Sequence, residues 1–354
     1  MKIGILTHQY ISNYGAFLQA YALHQAISRI FPDDEVQIIN YVNIKHFVIN
    51  TGGWFRFYTD RENVRCWLEK IKLPATFARA RKEYMVLSKK VFTANQINKL
   101  NFDCIIVGSD EVWNFKDSKA NAKLKFGEGL TCKKLIAYAP SVGKTSPDDT
   151  LPDYVVNGIK KFKALSSRDD LTFNLCKKIS GSEPTRVLDP TFLGQFPSAD
   201  LSVGRKPYIL FYYCEHLPKS VLDRIYEYAE KNNLAVYGAG ECDKRYTEIT
   251  VNLTPFEWVE MFKNAEFVFT GTFHGAVFSI LNKRQFKVYL TNESRIKKVG
   301  ALLKELQIDN RIINEDYSFD LQEQKEEIDY DKIYMIIDEK RKISESFLRN
   351  AIRM

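Results

Sequence analysis

A chain of 354 residues with a net charge of +7, 45% hydrophobic and 27% charged residues has ordinary globular proportions and the length of two domains. No stretch reaches the roughly 20 apolar residues of a spanning helix, so any membrane contact is expected to be peripheral. Cys66, Cys104, Cys132, Cys176, Cys214 and Cys242 stand singly, without a Cys-x-x-Cys pair. Zinc sites and disulfides are therefore not expected, and reduced thiols predict a cytoplasmic protein.

In chain order, Lys2–Thr7 is too short for a signal-peptide core and reads as a first strand. A helix over Ala16–Ile30 follows, with Leu18, Ala22, Ala26 and Ile30 on one face. Further strands are predicted at Val36–Tyr41, Cys104–Val107, Leu135–Tyr138, Ala164–Ser167 and Arg186–Leu188. Residues 45–99 interrupt this series with twelve Lys and Arg against four Asp and Glu, and so carry the whole net charge. Trp54, Phe55, Phe57, Tyr58, Trp67 and Phe77 interleave with those charges. The segment reads as a solvated helical pair with a buried aromatic stripe, or as a surface for anionic lipid or an anionic substrate. No nucleic-acid motif accompanies it, so nucleic acid is not expected as a partner.

Gly, Pro, Ser and Asp cluster over Gly194–Pro207, where the interdomain linker is placed. Beyond it, strands at Tyr208–Tyr213, Ala235–Tyr237, Phe267–Thr270, Phe286–Leu290 and Arg311–Ile313 alternate with helices near 219–232, 255–263, 275–282 and 295–306. An acidic stretch, Glu315–Asp331, precedes a final helix over about Lys332–Ile352. This alternation predicts an α/β protein of two Rossmann-like doubly wound domains, residues 1–196 and 205–330. The basic helical segment is inserted in the first, and helix 331–354 is expected to return to it.

Open α/β sheets bind ligands beyond the carboxyl ends of their strands, which singles out four segments. His8, Ser12, Asn13, Tyr14 and Gly15 join the first strand to the first helix, with Ser12 or Asn13 as cap and Gly15 admitting a ligand to the amides. Gly108, Ser109, Asp110, Glu111 and Trp113 follow the strand at 104–107. Its paired carboxylates suit proton transfer or sugar hydroxyls, and Asp110 equally suits a structural cap. Arg168 follows the strand at 164–167 and offers a planar fork to phosphate or carboxylate, unless it pairs with Asp169 or Asp189. Gly271, Thr272, Phe273, His274 and Gly275 open a helix, and their glycines are expected to leave amides available beside a catalytic imidazole at His274. His24, His46 and His216 lack partners in the sequence and carry low functional expectations, and Asp189-Pro190-Thr191 reads as a turn.

These segments, taken in order, resemble the polysaccharide pyruvyl transferase family over roughly residues 1–305. The resemblance rests on Asn13-Tyr14-Gly15-Ala16 with Leu18-Gln19-Ala20-Tyr21-Ala22-Leu23, Gly108-Ser109-Asp110 with Trp113-Asn114, and Tyr138-Ala139-Pro140-Ser141 with Gly143. Ser167-Arg168, Leu188-Asp189-Pro190-Thr191 and Phe273-His274-Gly275 complete it. It implies a GT-B-like fold with the active site in the interdomain cleft. It also implies transfer of pyruvate from phosphoenolpyruvate onto two hydroxyls of a surface polysaccharide or its lipid-linked precursor, forming a cyclic ketal without a cofactor or metal. His274, Asp110 and Glu111 become the catalytic candidates. Arg168, Thr272, Gly271 and Gly275 become candidates for the donor, and His8, Asn13, Tyr14, Gly15, Ser109 and Trp113 for the acceptor. Family members often carry arginine two residues before the histidine, where this chain has Thr272. A nucleotide-sugar glycosyltransferase and a non-catalytic glycan-binding protein are the alternatives, and a lipid-linked acceptor would place the basic segment at the inner face of the cell membrane.

Overall fold

The computed structural model describes residues 1–354 except 57–63, 147, 202, 204–205, 215–216, 292, 315, 318 and 320–327. His216, Phe57, Tyr58, three of the charges of the basic segment and most of the acidic stretch thus lie outside the described residues. The chain forms two compact units, one of residues 1–53, 78–195 and 338–354, the other of 54–77 and 196–337.

In the first unit, β1 (Lys2–Leu6), β2 (Glu35–Ile38), β3 (Cys104–Val107), β4 (Lys134–Ala137), β5 (Ala164–Ser167) and β6 (Thr185–Arg186) make one sheet, all pairs parallel. Its order is β2-β1-β3-β4-β5-β6. Strand order therefore reverses between β1 and β3, the place where such sheets bind ligands. Apolar runs such as Cys104-Ile105-Ile106-Val107, buried throughout, read as strands covered on both faces. Helix α1 (Tyr14–Ile30) starts where the Asn13 side chain accepts from the Ala16 amide at 2.9 Å.

Short helices α2 (Ile44–Trp54), α3 (Val64–Lys70), α4 (Leu73–Tyr84) and α5 (Ala94–Asn98) occupy the basic segment. Phe77 is fully buried, whereas Phe55 is 53% exposed, so the aromatic stripe expected there is only partly a core. Residues 54–77 belong to the second unit and not, as the sequence suggests, to the N-terminal one. A Cys66–Cys242 disulfide and a 2.8 Å bond between Thr76 Oγ1 and Asn252 Oδ1 fasten them there. The disulfide corrects the expectation of six reduced thiols. Its partners are 176 residues apart, so spacing carries no trace of it, and the thiol argument for a compartment falls with it. Helices α6 (Asp153–Ile159) and α7 (Asp170–Ser180) complete the first unit's alternation.

The second unit repeats the plan with β7 (Tyr208–Tyr212), α8 (Lys219–Lys231), β8 (Ala235–Gly238), α9 (Pro255–Lys263), β9 (Phe267–Thr270), α10 (Phe273–Leu281), β10 (Gln285–Val288) and α11 (Glu293–Glu305). The sheet order is β10-β9-β7-β8, all parallel, so the reversal falls between β7 and β9. A strand expected at Arg311–Ile313 is instead a 3-10 turn over Asp309–Arg311 with a single bridge from Ile312 to Val288. Two isoleucines give too short a run to extend a ladder. Helix α12 (Tyr330–Arg353) begins in the second unit, where Tyr334 donates to the Leu281 carbonyl, and from Asp338 onward belongs to the first. There the Ser344 hydroxyl accepts from the Leu188 amide at 2.9 Å and Lys134 donates to the Ile352 carbonyl at 2.8 Å.

Candidate functional site

In the first unit, the loops after β1 and β3 meet at the order reversal, clamped by the buried Gln19 of α1. Gln19 Nε2 donates to Thr7 Oγ1 at 2.9 Å, and its Oε1 accepts from the Ser109 amide at 3.2 Å. Gly108 sits at φ 129°, and a Cβ there would lie 2.0 Å from the Tyr138 carbonyl, so no side chain fits where β3 leaves the sheet.

Arg168, at the end of β5, pairs with Asp189 and reaches Asp110 Oδ1 at 3.3 Å and Ser109 Oγ at 3.1 Å. Burial opposes its charge, but Asp189, Asp110 and Asp169 outweigh that and hold the guanidinium above its ordinary value. Asp189 is itself fixed by the Thr191 amide and hydroxyl, at 3.0 and 2.6 Å. Asp169 is not an ion-pair partner but the cap of α7, accepting from the Thr172 amide at 2.8 Å. The competing structural reading of Arg168 is therefore present in the fold, and Asp110 acts as no helix cap.

Trp113 is buried, stacked on Phe126 and edge-on to Phe162, with its Nε1 donating to the Lys125 carbonyl at 2.8 Å. Such a ring belongs to the core and has no surface for a sugar. Tyr14 and Gly15 are buried in the first turn of α1, where the Ala16 amide is already taken by Asn13, so Gly15 does not open that helix end to a ligand. Ser109 is buried in the Arg168 network. Glu111 is exposed, and its carboxylate accepts from Asn114 at 3.1 Å. Of the hydroxyl-facing candidates, the fold leaves Asp110 and Glu111 at the surface and His8 just beneath it.

His8 stands on an element group that sequence reasoning missed. Lys125, in the 3-10 turn Lys123–Phe126, is fully buried with Nζ 3.2 Å from either His8 ring nitrogen and 5.7 Å from the Tyr10 ring. His46 of α2 meets Tyr10 Oη at 3.0 Å and the His8 ring edge-on at 5.4 Å. Burial pushes the Lys125 amine down to about 7, against the pull of Asp110 and Asp117. Burial, with Lys125 and His46, holds His8 well below the imidazole range, and burial with Lys125 brings His46 to about 4. Arg81 of α4 reaches the same loop, donating to the Gln9 and Ile11 carbonyls at 3.5 and 3.3 Å, and burial lowers it to about 10. In sequence these cations look like solvated charge, and the only signal is the apolar Leu124 and Phe126 around Lys125.

In the second unit, His274 occupies the first turn of α10, directly after β9 and beside the reversal, half-buried with its ring edge-on to Phe273 at 5.5 Å. Thr272 caps the helix by accepting from the Gly275 amide at 3.1 Å, and the Gly271 and Thr272 amides bond to the Tyr212 carbonyl and Thr270 Oγ1. The amides expected to be available at Gly271 and Gly275 are thus engaged. Gly275 is required by packing, since a Cβ would lie 2.0 Å from Thr270 Oγ1. A second missed cation stands here. Arg295 of α11 donates to the Gly271 carbonyl at 3.3 Å with its guanidinium 5.7 Å from the Tyr213 ring. Among the described residues, no three His, Cys, Asp or Glu side chains are grouped to share a metal ion, and no helix is long and apolar enough to cross a membrane.

Two parallel sheets, each with its loops gathered at a strand-order reversal, define a GT-B-like α/β protein, as the sequence predicts. The crystal structure of a putative UDP-N-acetylglucosamine 2-epimerase from Listeria monocytogenes is similar at 11% identity and a TM-score of 0.51, covering 99% of this chain and 94% of that one. The glycosyltransferase SsfS6 of Streptomyces sp. SF2575, complexed with thymidine diphosphate, aligns over 100% of both chains at 12% identity and a TM-score of 0.47. UDP-GlcNAc 2-epimerase from Neisseria meningitidis, bound to UDP-GlcNAc, aligns over 100% of this chain and 98% of that one at 9% identity and a TM-score of 0.46. The first of these likenesses speaks to fold alone, and no curated protein matches the chain. Residues 13–293 match the family described as polysaccharide pyruvyl transferase, and the chain belongs to that family.

Proposed function

We propose that this family member moves pyruvate from phosphoenolpyruvate onto two hydroxyls of a surface polysaccharide or its lipid-linked precursor, closing a cyclic ketal and releasing phosphate. The observation that carries the reading is the second unit's β9–α10 turn, where the His274 imidazole lies in the first turn of a helix and the Arg295 guanidinium bonds the Gly271 carbonyl just before it. Ketal formation requires protonation of the donor's methylene carbon, which makes the neighbouring carbon electrophilic. His274 supplies that proton, and a bound anion beside the ring favours its protonated form. Arg295, with Thr272 and the first turn of α10, holds the negative charge that builds on the leaving phosphate. Arg295 thereby takes the part that an arginine at position 272 would have played. In the first unit, Arg168 keeps Asp110 in place, and Asp110 and Glu111 are the candidates to accept hydrogen bonds from a sugar hydroxyl.

No cofactor enters this scheme. Contact with an anionic membrane is supported by Ile44 and Val48, 59% and 60% exposed beside Lys45, and by the exposed Val86 and Phe92 flanking Lys89 and Lys90. On this reading the enzyme works at the inner face of the cell membrane on a lipid-linked acceptor. The test is phosphate release from phosphoenolpyruvate by purified protein with a panel of nitrophenyl and lipid-linked glycosides, the product checked by mass for an added pyruvyl ketal. Turnover of a nucleotide sugar, with phosphoenolpyruvate left intact, would instead establish a glycosyltransferase.

A further inference from the structure

Tyr213 holds a backbone conformation that side chains seldom adopt. It follows β7 directly, at the strand-order reversal of the second unit, with φ 55° and 39% of the residue exposed. A residue with a Cβ rarely enters that left-handed region unless its surroundings hold it there. The holder is Glu241, in the loop between β8 and α9, whose Oε1 accepts from the Tyr213 amide at 2.6 Å. Its Oε2 accepts from the Tyr246 hydroxyl at 3.2 Å, and the Tyr246 ring stacks on Phe211 of β7 with centroids 6.3 Å apart. The loop itself is anchored around this carboxylate: Thr250 Oγ1 donates to the Glu241 carbonyl at 3.2 Å, and Cys242 is bonded to Cys66. The Tyr213 ring, edge-on to Tyr212 at 4.9 Å, lies 5.7 Å from the Arg295 guanidinium, within cation–π range. Arg295 also donates to the Gly271 carbonyl, and Gly271 packs so closely on Tyr213 that a Cβ would lie 2.4 Å from the Tyr213 carbonyl.

We propose that Glu241 and Tyr213 are positioning residues for Arg295. The carboxylate fixes the tyrosine's backbone turn, and the ring so placed forms a floor that holds the guanidinium ready for a phosphate beside the first turn of α10. The inference rests on the pyruvyl-transfer reading, in which Arg295 receives the leaving phosphate, and it adds how a long side chain is kept in place. An arginine loses much rotamer freedom when it binds a ligand, and a floor present before the ligand arrives removes part of that loss. The two restraints on the guanidinium come from the two strands that flank the reversal, since Gly271 follows β9 and Tyr213 follows β7. A carboxylate acting only through its charge would weaken the binding of a nearby anion, whereas one that positions the arginine strengthens it. Removal of Glu241 therefore has opposite signs under the two readings.

The experiment uses the full chain with inorganic phosphate as the probe. Affinity is read by calorimetry, and the Arg295 side chain by its Nε–Hε NMR resonance, assigned from its absence in Arg295→Lys. Tyr213→Ala and Glu241→Ala each weaken phosphate binding about fivefold, the worth of one exposed cation–π contact, and move the Arg295 resonance out of the ring's field. Glu241→Gln, whose amide oxygen still accepts from the Tyr213 amide, and Tyr213→Phe, which keeps the ring, restore both readouts. In an Arg295→Ala background Glu241→Ala has no further effect, because it acts through the arginine. In the transfer assay Glu241→Ala raises the donor KM by the same factor and leaves the acceptor KM unchanged. Tighter phosphate binding by Glu241→Ala, an unmoved Arg295 resonance or an undiminished loss in the Arg295→Ala background overturns the proposal, as does a wild type that does not bind phosphate. Should Glu241→Ala fail to fold, Tyr213→Ala carries the same cycle from an exposed position. A wild type that binds phosphate but never turns over phosphoenolpyruvate refutes the function reading alone, because the binding and NMR arms need no turnover.

Discussion

An unfolded chain leaves the Lys125 amine with its ordinary affinity for protons, near 10.5, whereas burial lowers it to about 7. Between those values the unfolded state binds the extra proton, so stability rises with pH across that window and the full penalty applies below 7. The size of the displacement corresponds to roughly 5 kcal/mol, at about 1.4 kcal/mol per unit. Urea unfolding of Lys125→Met is therefore expected to show a more stable protein at pH 7, with the advantage over the wild type shrinking between pH 7.5 and 9.5. An advantage independent of pH would mean that the amine is charged throughout. At the same scale, His274→Ala is expected to lower turnover about 10²- to 10⁴-fold while leaving the melting temperature within a degree or so. A variant that unfolds but keeps normal activity per folded molecule would make the ring structural. Arg295→Ala is expected to raise the donor KM with a smaller effect on the acceptor KM. Equal effects on both would remove the guanidinium from the donor.

Elements were legible where one rule decided them. Cys104–Val107 and Phe267–Thr270 form as the apolar runs predict, because four buried residues between turn signals have little alternative in a parallel sheet. Helix starts were read two residues late, at 16 and 275 instead of Tyr14 and Phe273, since the capping side chains, Asn13 and Thr272, lie before the apolar periodicity begins. Asn13→Ala removes the acceptor of the Ala16 amide and is expected to cost about 1 kcal/mol in thermal or urea unfolding. The position of the candidate loops was legible as well, because strand ends follow from the strands. Which side chains on those loops face outward was not. Trp113, a candidate for the acceptor, stacks inward on Phe126, and Lys125, which the sequence does not single out, lies against His8. A pattern of hydropathy reports on elements of period two or 3.6, and neither residue lies in one: both stand in irregular turns between β3 and β4.

Across the whole molecule, the plan of two α/β units came through in the alternation of strands and helices, while the route of the chain between them did not. Residues 54–77 leave the first unit's sequence neighbourhood for the second, and the decisive tie is the Cys66–Cys242 bond. A closure of 176 residues restricts the unfolded chain strongly, so reduction or Cys66→Ser is expected to cost about 2–4 kcal/mol, visible as a lower melting temperature under reductant. Identical melting with and without reductant would show the bond to be absent in solution.

The membership of residues 338–354 in the first unit bears on the order in which the protein can mature on the ribosome. Domains ordinarily fold as they emerge, earlier ones first. Here the sheet that is translated first keeps the Leu188 amide and the Lys134 ammonium without their partners, Ser344 and the Ile352 carbonyl, until more than a hundred further residues have been added. The half translated later can thus finish before the half translated earlier. A nascent chain stalled near residue 200 should remain protease-sensitive throughout its β1–β6 region, and a separately supplied 338–354 peptide should protect it.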